Sequence, residues 1–220
     1  MTGDVALVCG ASGALGQSLV AAFLARGDRV VAVERRPAEN PPDGVRAEAV
    51  DLTVPEEVEA LWDRLDERPR WVVNAVGAFR GGTVAATEPD DLRFLLDVNL
   101  ATTLWSCRAA ARRLDAGCAI VNVASRSAVS GGAGSAVYSI AKAGVTRLTE
   151  VLAAELAGQK IRVNAILPSV IDTPVNRASM PAESLENAVP PAQIAAVAGF
   201  LLSDDAAAVS GAVLPVYGWA

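Results

Sequence analysis

The sequence predicts an α/β fold: a doubly wound sheet of seven mostly parallel strands with helices on both faces, in a single domain spanning residues 1–220. Three observations carry this. Short apolar runs alternate with longer amphipathic ones along the whole chain. Several of the short runs are apolar on both faces, as strands buried between two helical layers are. The first run leads directly into a glycine-rich turn and then a helix. The apolar runs Val5–Cys9, Arg29–Glu34, Val45–Asp51 and Trp71–Ala75 read as the first four strands. Ala119–Ala124, Arg162–Leu167 and Val213–Val216 read as the last three. Between them, amphipathic stretches predict helices over Ala14–Arg26 and Pro55–Glu67, around Asp90–Leu114 and Tyr138–Leu156, and over Pro191–Leu202. Right-handed crossovers would put ligands at the carboxyl ends of the strands.

Composition excludes several kinds of protein. Hydrophobic residues make up 52% and charged residues 20%, which describes a globular chain. The net charge of −6, with no basic block longer than Arg35-Arg36 or Arg112-Arg113, gives no electrostatic footing for nucleic acid. No run approaches the roughly 18–20 apolar residues of a membrane span. The first residues lack the basic-then-apolar pattern of a secretory signal, so a cytoplasmic location is expected. Cys9, Cys107 and Cys118 have no metal-ligand spacing and read as buried thiols of a reducing compartment. There is no histidine. Acid/base chemistry therefore falls to Tyr, Lys, Cys or carboxylates, and a His-based zinc site or Ser-His-Asp triad is excluded.

The glycine-rich turn reads Gly10-Ala-Ser12-Gly13-Ala14-Leu15-Gly16. Its glycines let the backbone turn tightly and approach a pyrophosphate, and the following helix N-terminus supplies N–H donors and a positive dipole end. This makes the expected sheet Rossmann-like. Eighteen residues after Gly16, Glu34 ends the second strand, where a carboxylate can accept from both ribose hydroxyls of NAD and repel a 2′-phosphate. Arg35 follows at once, and an arginine there commonly holds the phosphate of NADP. NAD is favoured on the expected strand register, with NADP left open.

Tyr138 and Lys142 stand at i and i+4 on an alanine-rich helix, so the phenol and the ammonium share a face. A neighbouring cation is expected to pull the phenol below its usual pKa of about 10, making a general acid/base near neutrality. Ser125, thirteen residues upstream, could hold the reacting oxygen by a hydrogen bond.

In this order the motifs resemble the short-chain dehydrogenase/reductase family over essentially the whole chain. The family's loop Thr-Gly-x-x-x-Gly-x-Gly appears with Cys9 for the threonine and Ala14 for the middle glycine. Asp51-Leu52 resembles the acidic residue that hydrogen-bonds adenine. Asn74-Ala75-Val76-Gly77 resembles Asn-Asn-Ala-Gly, with the second asparagine absent. The resemblance implies that Asn99 supports a proton-relay water near the lysine, and that Ser125, Tyr138 and Lys142 are catalytic. Ile161–Ser169 is similar to the segment ending in Pro-Gly, with Ser169 for the glycine. Pro168, Ser169, Val170 and Thr173 are thus expected beside the nicotinamide.

The implied reaction interconverts an alcohol and a carbonyl on a small organic substrate by hydride transfer with NAD(P)(H). Tyr138 would be the acid/base, Lys142 would also bind the nicotinamide ribose, and Ser125 would polarise the substrate oxygen. The short stretch Pro174–Leu185 implies an open site or one covered by another subunit. Arg80 or Arg126 could meet an acidic or polar substrate group, or be structural. Tyr217 and Trp219 lie where family members reach a neighbouring subunit, and a homodimer or homotetramer is expected. A silent dinucleotide-sensing regulator of the same fold is the alternative, as is epimerisation or dehydration with recycled cofactor.

Overall fold

The computed structural model describes residues 3–220. Seven strands form one sheet: β1 (Val5–Cys9), β2 (Arg29–Glu34), β3 (Val45–Ala49), β4 (Trp71–Asn74), β5 (Ala119–Val123), β6 (Arg162–Pro168) and β7 (Val213–Val216). All pairings are parallel, in the order β3-β2-β1-β4-β5-β6-β7. The order reverses between β1 and β4, which opens a crevice at their carboxyl ends.

Each strand feeds both helical layers because side chains alternate along it. Val5, Leu7 and Cys9 of β1 join one buried cluster while Ala6 and Val8 join the other. The first layer holds α2 (Pro55–Asp63), α4 (Thr102–Ala111) and α5 (Ala136–Leu156). The second holds α1 (Ala14–Ala25) and α8 (Pro191–Leu202), which pack on each other. With both faces covered, the strands can be apolar throughout.

Several expected boundaries move. The helix expected over Pro55–Glu67 starts at Pro55, with Glu56 and Glu57 complementing its dipole, but ends at Asp63. The helix expected around Asp90–Leu114 is three segments: α3 (Pro89–Leu96), a π-helical turn (Asp97–Ala101) and α4. The apolar spacing continues through the turn, so periodicity alone reads it as one helix. The helix expected from Tyr138 starts two residues earlier, at Ala136. Two short helices, α6 (Pro174–Ser179) and α7 (Ala182–Leu185), occupy the short stretch to which no helix is assigned from sequence. Thr173 capping Pro174 at the first helical position was the local signal for α6. Among the described residues no helix is long and apolar enough to cross a membrane.

Candidate active site

The crevice begins at the glycine turn. Gly10 sits at φ +85°, and a Cβ there would come within 3.0 Å of the Val76 nitrogen. A Cβ at Gly16 would lie 2.1 Å from the Gly10 carbonyl oxygen. The first glycine thus lets the turn close against the β4 segment, and the last lets α1 pack onto it. The Gln17 side-chain amide donates to the Ser12 carbonyl at 2.8 Å and holds the turn's outer edge. No side chain caps α1, and its first turn contains no acid. Open N–H groups and an uncompensated dipole end therefore face the crevice, which fits a dinucleotide pyrophosphate.

The crevice is a groove of about 410 Å³. Gly10, Ser12, Gly13, Glu34, Arg35, Asp51, Leu52, Ala75, Val76 and Gly77 all line it, as expected from the sequence. The Glu34 carboxylate accepts from the Ser12 hydroxyl. Burial raises its pKa, and the Ser12 bond partly offsets this. Arg35 lies beside it, exposed and without a carboxylate partner among the described residues. The Asp51 carboxylate accepts from the Thr53 hydroxyl at 2.6 Å and its backbone N–H at 2.9 Å, which holds its pKa down. The lining also takes in Thr53, Phe94, Val98 and Thr102, which sequence reasoning missed. Asp51 and Thr53 make a local side-chain-to-backbone turn legible in the sequence. The rest come from the far side of the sheet's switch point and had no local signal.

Of the residues expected along the groove, Ala14, Leu15, Gly16 and Asn74 are not part of its lining, and two of them point into the interior. Asn74 is buried in the sheet interior, donating to Asn122 Oδ1 at 2.8 Å and to Cys107 Sγ at 3.5 Å. It braces β4 against β5 from beneath the groove. Its strand position, with the side chain on the inner face, decides this. Leu15 turns into the core beneath α1. Cys9, where the family has threonine, lies 3.6 Å from the Ser106 hydroxyl, and burial pushes its thiol up to about 12. All three cysteines are free thiols.

At the far end of the groove the ends of β4 and β5 meet α5. The Lys142 ammonium is buried and donates to the Val123 carbonyl at 3.0 Å. Burial pulls its pKa down to about 8. Asn99, held inward by the π-helical turn, accepts from the Ala78 N–H at 3.1 Å. It donates to the Ala78 and Leu95 carbonyls at 2.9 and 3.0 Å. A Cβ on Gly77 would lie 2.9 Å from Asn99 Oδ1 and 3.2 Å from Lys142 Nζ. Both head groups therefore converge on Gly77, which lines the groove.

Tyr138 sits in the first turn of α5, half-buried, its ring edge-on to Phe79 at 5.1 Å. The Lys142 ammonium is 5.9 Å from the centre of that ring. The expected drop in the phenol's pKa is not seen. Burial raises it, and the Ser125 hydroxyl only partly offsets the rise. Lys142, itself buried and bound to Val123, acts too weakly on the phenol, which stays protonated at neutral pH. Ser125 follows β5 in extended backbone and caps the turn Arg126–Ala128. Its hydroxyl donates to Ser127 Oγ at 3.3 Å and accepts from the Ser127 N–H at 3.2 Å. Ser127, unforeseen from the sequence, thus orients Ser125.

Pro168, Ser169, Val170 and Thr173 lie at the end of β6, one strand beyond Ser125. The Ser169 hydroxyl donates to the Tyr217 carbonyl at 3.0 Å, and Thr173 caps α6 by accepting from Asn176 N–H at 3.1 Å. Arg80 pairs with Asp91 and stacks on Phe94, its guanidinium carbon 4.4 Å from the ring centre. Arg126 stacks on Tyr217 at 5.1 Å, while Trp219 is almost fully exposed.

Comparison with known proteins places this geometry. A family model described as Enoyl-(Acyl carrier protein) reductase matches residues 10–218. Bovine (Bos taurus) L-xylulose reductase is 35% identical over 237 residues, 99% of this chain and 96% of that protein. A solved short-chain dehydrogenase/reductase family oxidoreductase of Burkholderia thailandensis superposes with a TM-score of 0.87 at 33% identity, covering 99% and 92% of the two chains. The 3-ketoacyl-(acyl-carrier-protein) reductase of Brucella melitensis, solved with NADH, superposes with a TM-score of 0.86 at 28% identity over 99% and 98%. With this fold, motif order and coverage, the chain belongs to the short-chain dehydrogenase/reductase family and is an NAD(P)-dependent oxidoreductase.

Proposed function

We propose that the protein interconverts an alcohol and a carbonyl on a small organic molecule, with Tyr138 as acid/base. The observation that carries this is the convergence of Lys142 and Asn99 on Gly77, between the groove and the Tyr138–Ser125 pair. The nicotinamide, when bound, supplies or accepts the hydride. Ser12, Gly13 and the α1 N-terminus would hold the pyrophosphate, with Asp51 and Leu52 at adenine and Lys142 at the nicotinamide ribose. Ser125, oriented by Ser127, holds the substrate oxygen. In reduction the protonated Tyr138 phenol donates its proton to that oxygen, and in oxidation the phenolate takes it back. Asn99 keeps the Ala78 backbone and the lysine end of the site in place.

NAD is the proposed cofactor, because Glu34 is tied to the glycine turn through Ser12 and so stands at the ribose edge. The protein is further proposed to act in the cytoplasm, which its free thiols support. It is also proposed to assemble as a homodimer or homotetramer through α4 and α5, where Leu104, Ile140 and Val151 are exposed.

Titration of the four tryptophans' fluorescence with NADH and NADPH, together with turnover of Tyr138→Phe, tests the reading. Tighter NADH binding is expected, and at least about a 10²-fold loss of turnover in the variant with little change in cofactor affinity. A near-normal rate in that variant would sink the mechanism. Tighter NADPH would transfer the ribose-end role to Arg35.

A further inference from the structure

We infer that Arg126 recognises a carboxylate on the substrate, so that the preferred substrates are hydroxy acids and their oxo-acid partners. This rests on the alcohol–carbonyl reading of the site. Arg126 directly follows Ser125, and nearly every other arginine in the chain has an acceptor. Arg80 pairs with Asp91, and Arg177 with Asp172. Arg64, Arg108, Arg112, Arg113 and Arg147 pair with Glu48, Glu59, Asp63 and Glu150. Arg162 donates to the Leu202 and Ser203 carbonyls. Only Arg35 and Arg36, at the nucleotide end, share with Arg126 the lack of a hydrogen-bond acceptor or carboxylate partner among the described residues.

The placement of Arg126 is specific. Tyr217, the ring beneath its guanidinium, follows β7, and Phe79 follows β4. In the sheet order β4-β5-β6-β7, Ser125 at the end of β5 lies between them. A molecule whose oxygen meets Ser125 and Tyr138 therefore has an apolar wall on the β4 side. On the β6–β7 side it meets a cation, within about two strand spacings, or ~10 Å. The guanidinium carbon lies 5.1 Å from the Tyr217 ring centre and its N–H groups have no acceptor among the described residues, which leaves them free to meet a carboxylate by two parallel hydrogen bonds. Arg177, in α6 after β6, is already neutralised by Asp172, so Arg126 is the unpaired arginine on this side. That suits a monoanionic carboxylate better than a phosphate dianion. The chain as a whole carries −6, so an acid would approach against the overall field without such a residue.

The test uses the full chain with its preferred nicotinamide cofactor. Acetoacetate, levulinate and 5-oxohexanoate are each compared with their methyl esters, in wild type, Arg126→Gln and Arg126→Lys. At one or more chain lengths the acid should exceed its ester in kcat/KM by at least about 10-fold. Arg126→Gln should remove that preference by raising KM for the acid far more than for the ester, with partial recovery in Arg126→Lys. The inference is overturned if esters turn over as well as acids at every length, or if Arg126→Gln keeps the preference. If neither acids nor esters turn over, the alcohol–carbonyl reading fails separately. Calorimetric titration of levulinate into cofactor-loaded wild type and Arg126→Gln then decides on Arg126 alone. Binding lost in the variant sustains its role, and equal or absent binding ends it.

Discussion

Lys142 carries a buried charge in this site, at a cost in stability. Its folded pKa of about 8 lies below the roughly 10.4 of an unfolded chain. Below pH 8 both states hold the proton, and the folded state bears the whole cost of burying the charge. Between about pH 8 and 10 the folded state releases the proton first, so this residue's contribution to stability rises with pH. Lys142→Met should therefore be more stable than wild type at pH 7, by on the order of 1–3 kcal/mol, and should lose turnover. Urea unfolding of the cofactor-free proteins at pH 7 and pH 9.5 checks this. The gap should narrow at the higher pH, and a constant gap would mean that the ammonium is not what costs stability. The i, i+4 spacing of Tyr138 and Lys142 was legible in the sequence. The direction of the Tyr138 shift was not, because burial depends on what packs over the ring, and Phe79 comes from another strand's end.

At the level of elements, the π-helical turn between α3 and α4 builds the lysine end of the site. It turns Asn99 inward, where its amide satisfies both polar groups of Ala78 and the Leu95 carbonyl. Asn99→Ala would remove this partner from the part-buried Ala78 groups and the buried Leu95 carbonyl. A loss of about 2–4 kcal/mol is expected in denaturant unfolding, together with reduced turnover. A loss within about 0.5 kcal/mol would show that the segment after β4 holds its place without the asparagine. Asn99 itself could be picked out from the motif Asp97-Val98-Asn99-Leu100. The turn could not, since one extra residue in a helix leaves the hydrophobic period almost unchanged.

The whole molecule presents an acidic surface with apolar residues on its outer helices. Leu92 and Phe94 of α3, Leu104 of α4, and Ile140 and Val151 of α5 are all exposed. Sedimentation at micromolar concentration should give a dimer or tetramer. A clean monomer would remove the proposed assembly and leave these faces to solvent.

The order of the seven strands, the glycine turn, and the spacing of Ser125, Tyr138 and Lys142 were determined by the sequence alone, because each rests on local periodicity or on residues close together in the chain. Tertiary structure alone decided that Asn74 braces the core, that Ser127 orients Ser125, that Arg80 is neutralised by Asp91, and that Arg126 is left free over Tyr217. Apart from the short Ser125–Ser127 link, these depend on residues brought together from different strand ends. A guanidinium's charge is written in the sequence, but whether a carboxylate has already claimed it is settled only by packing.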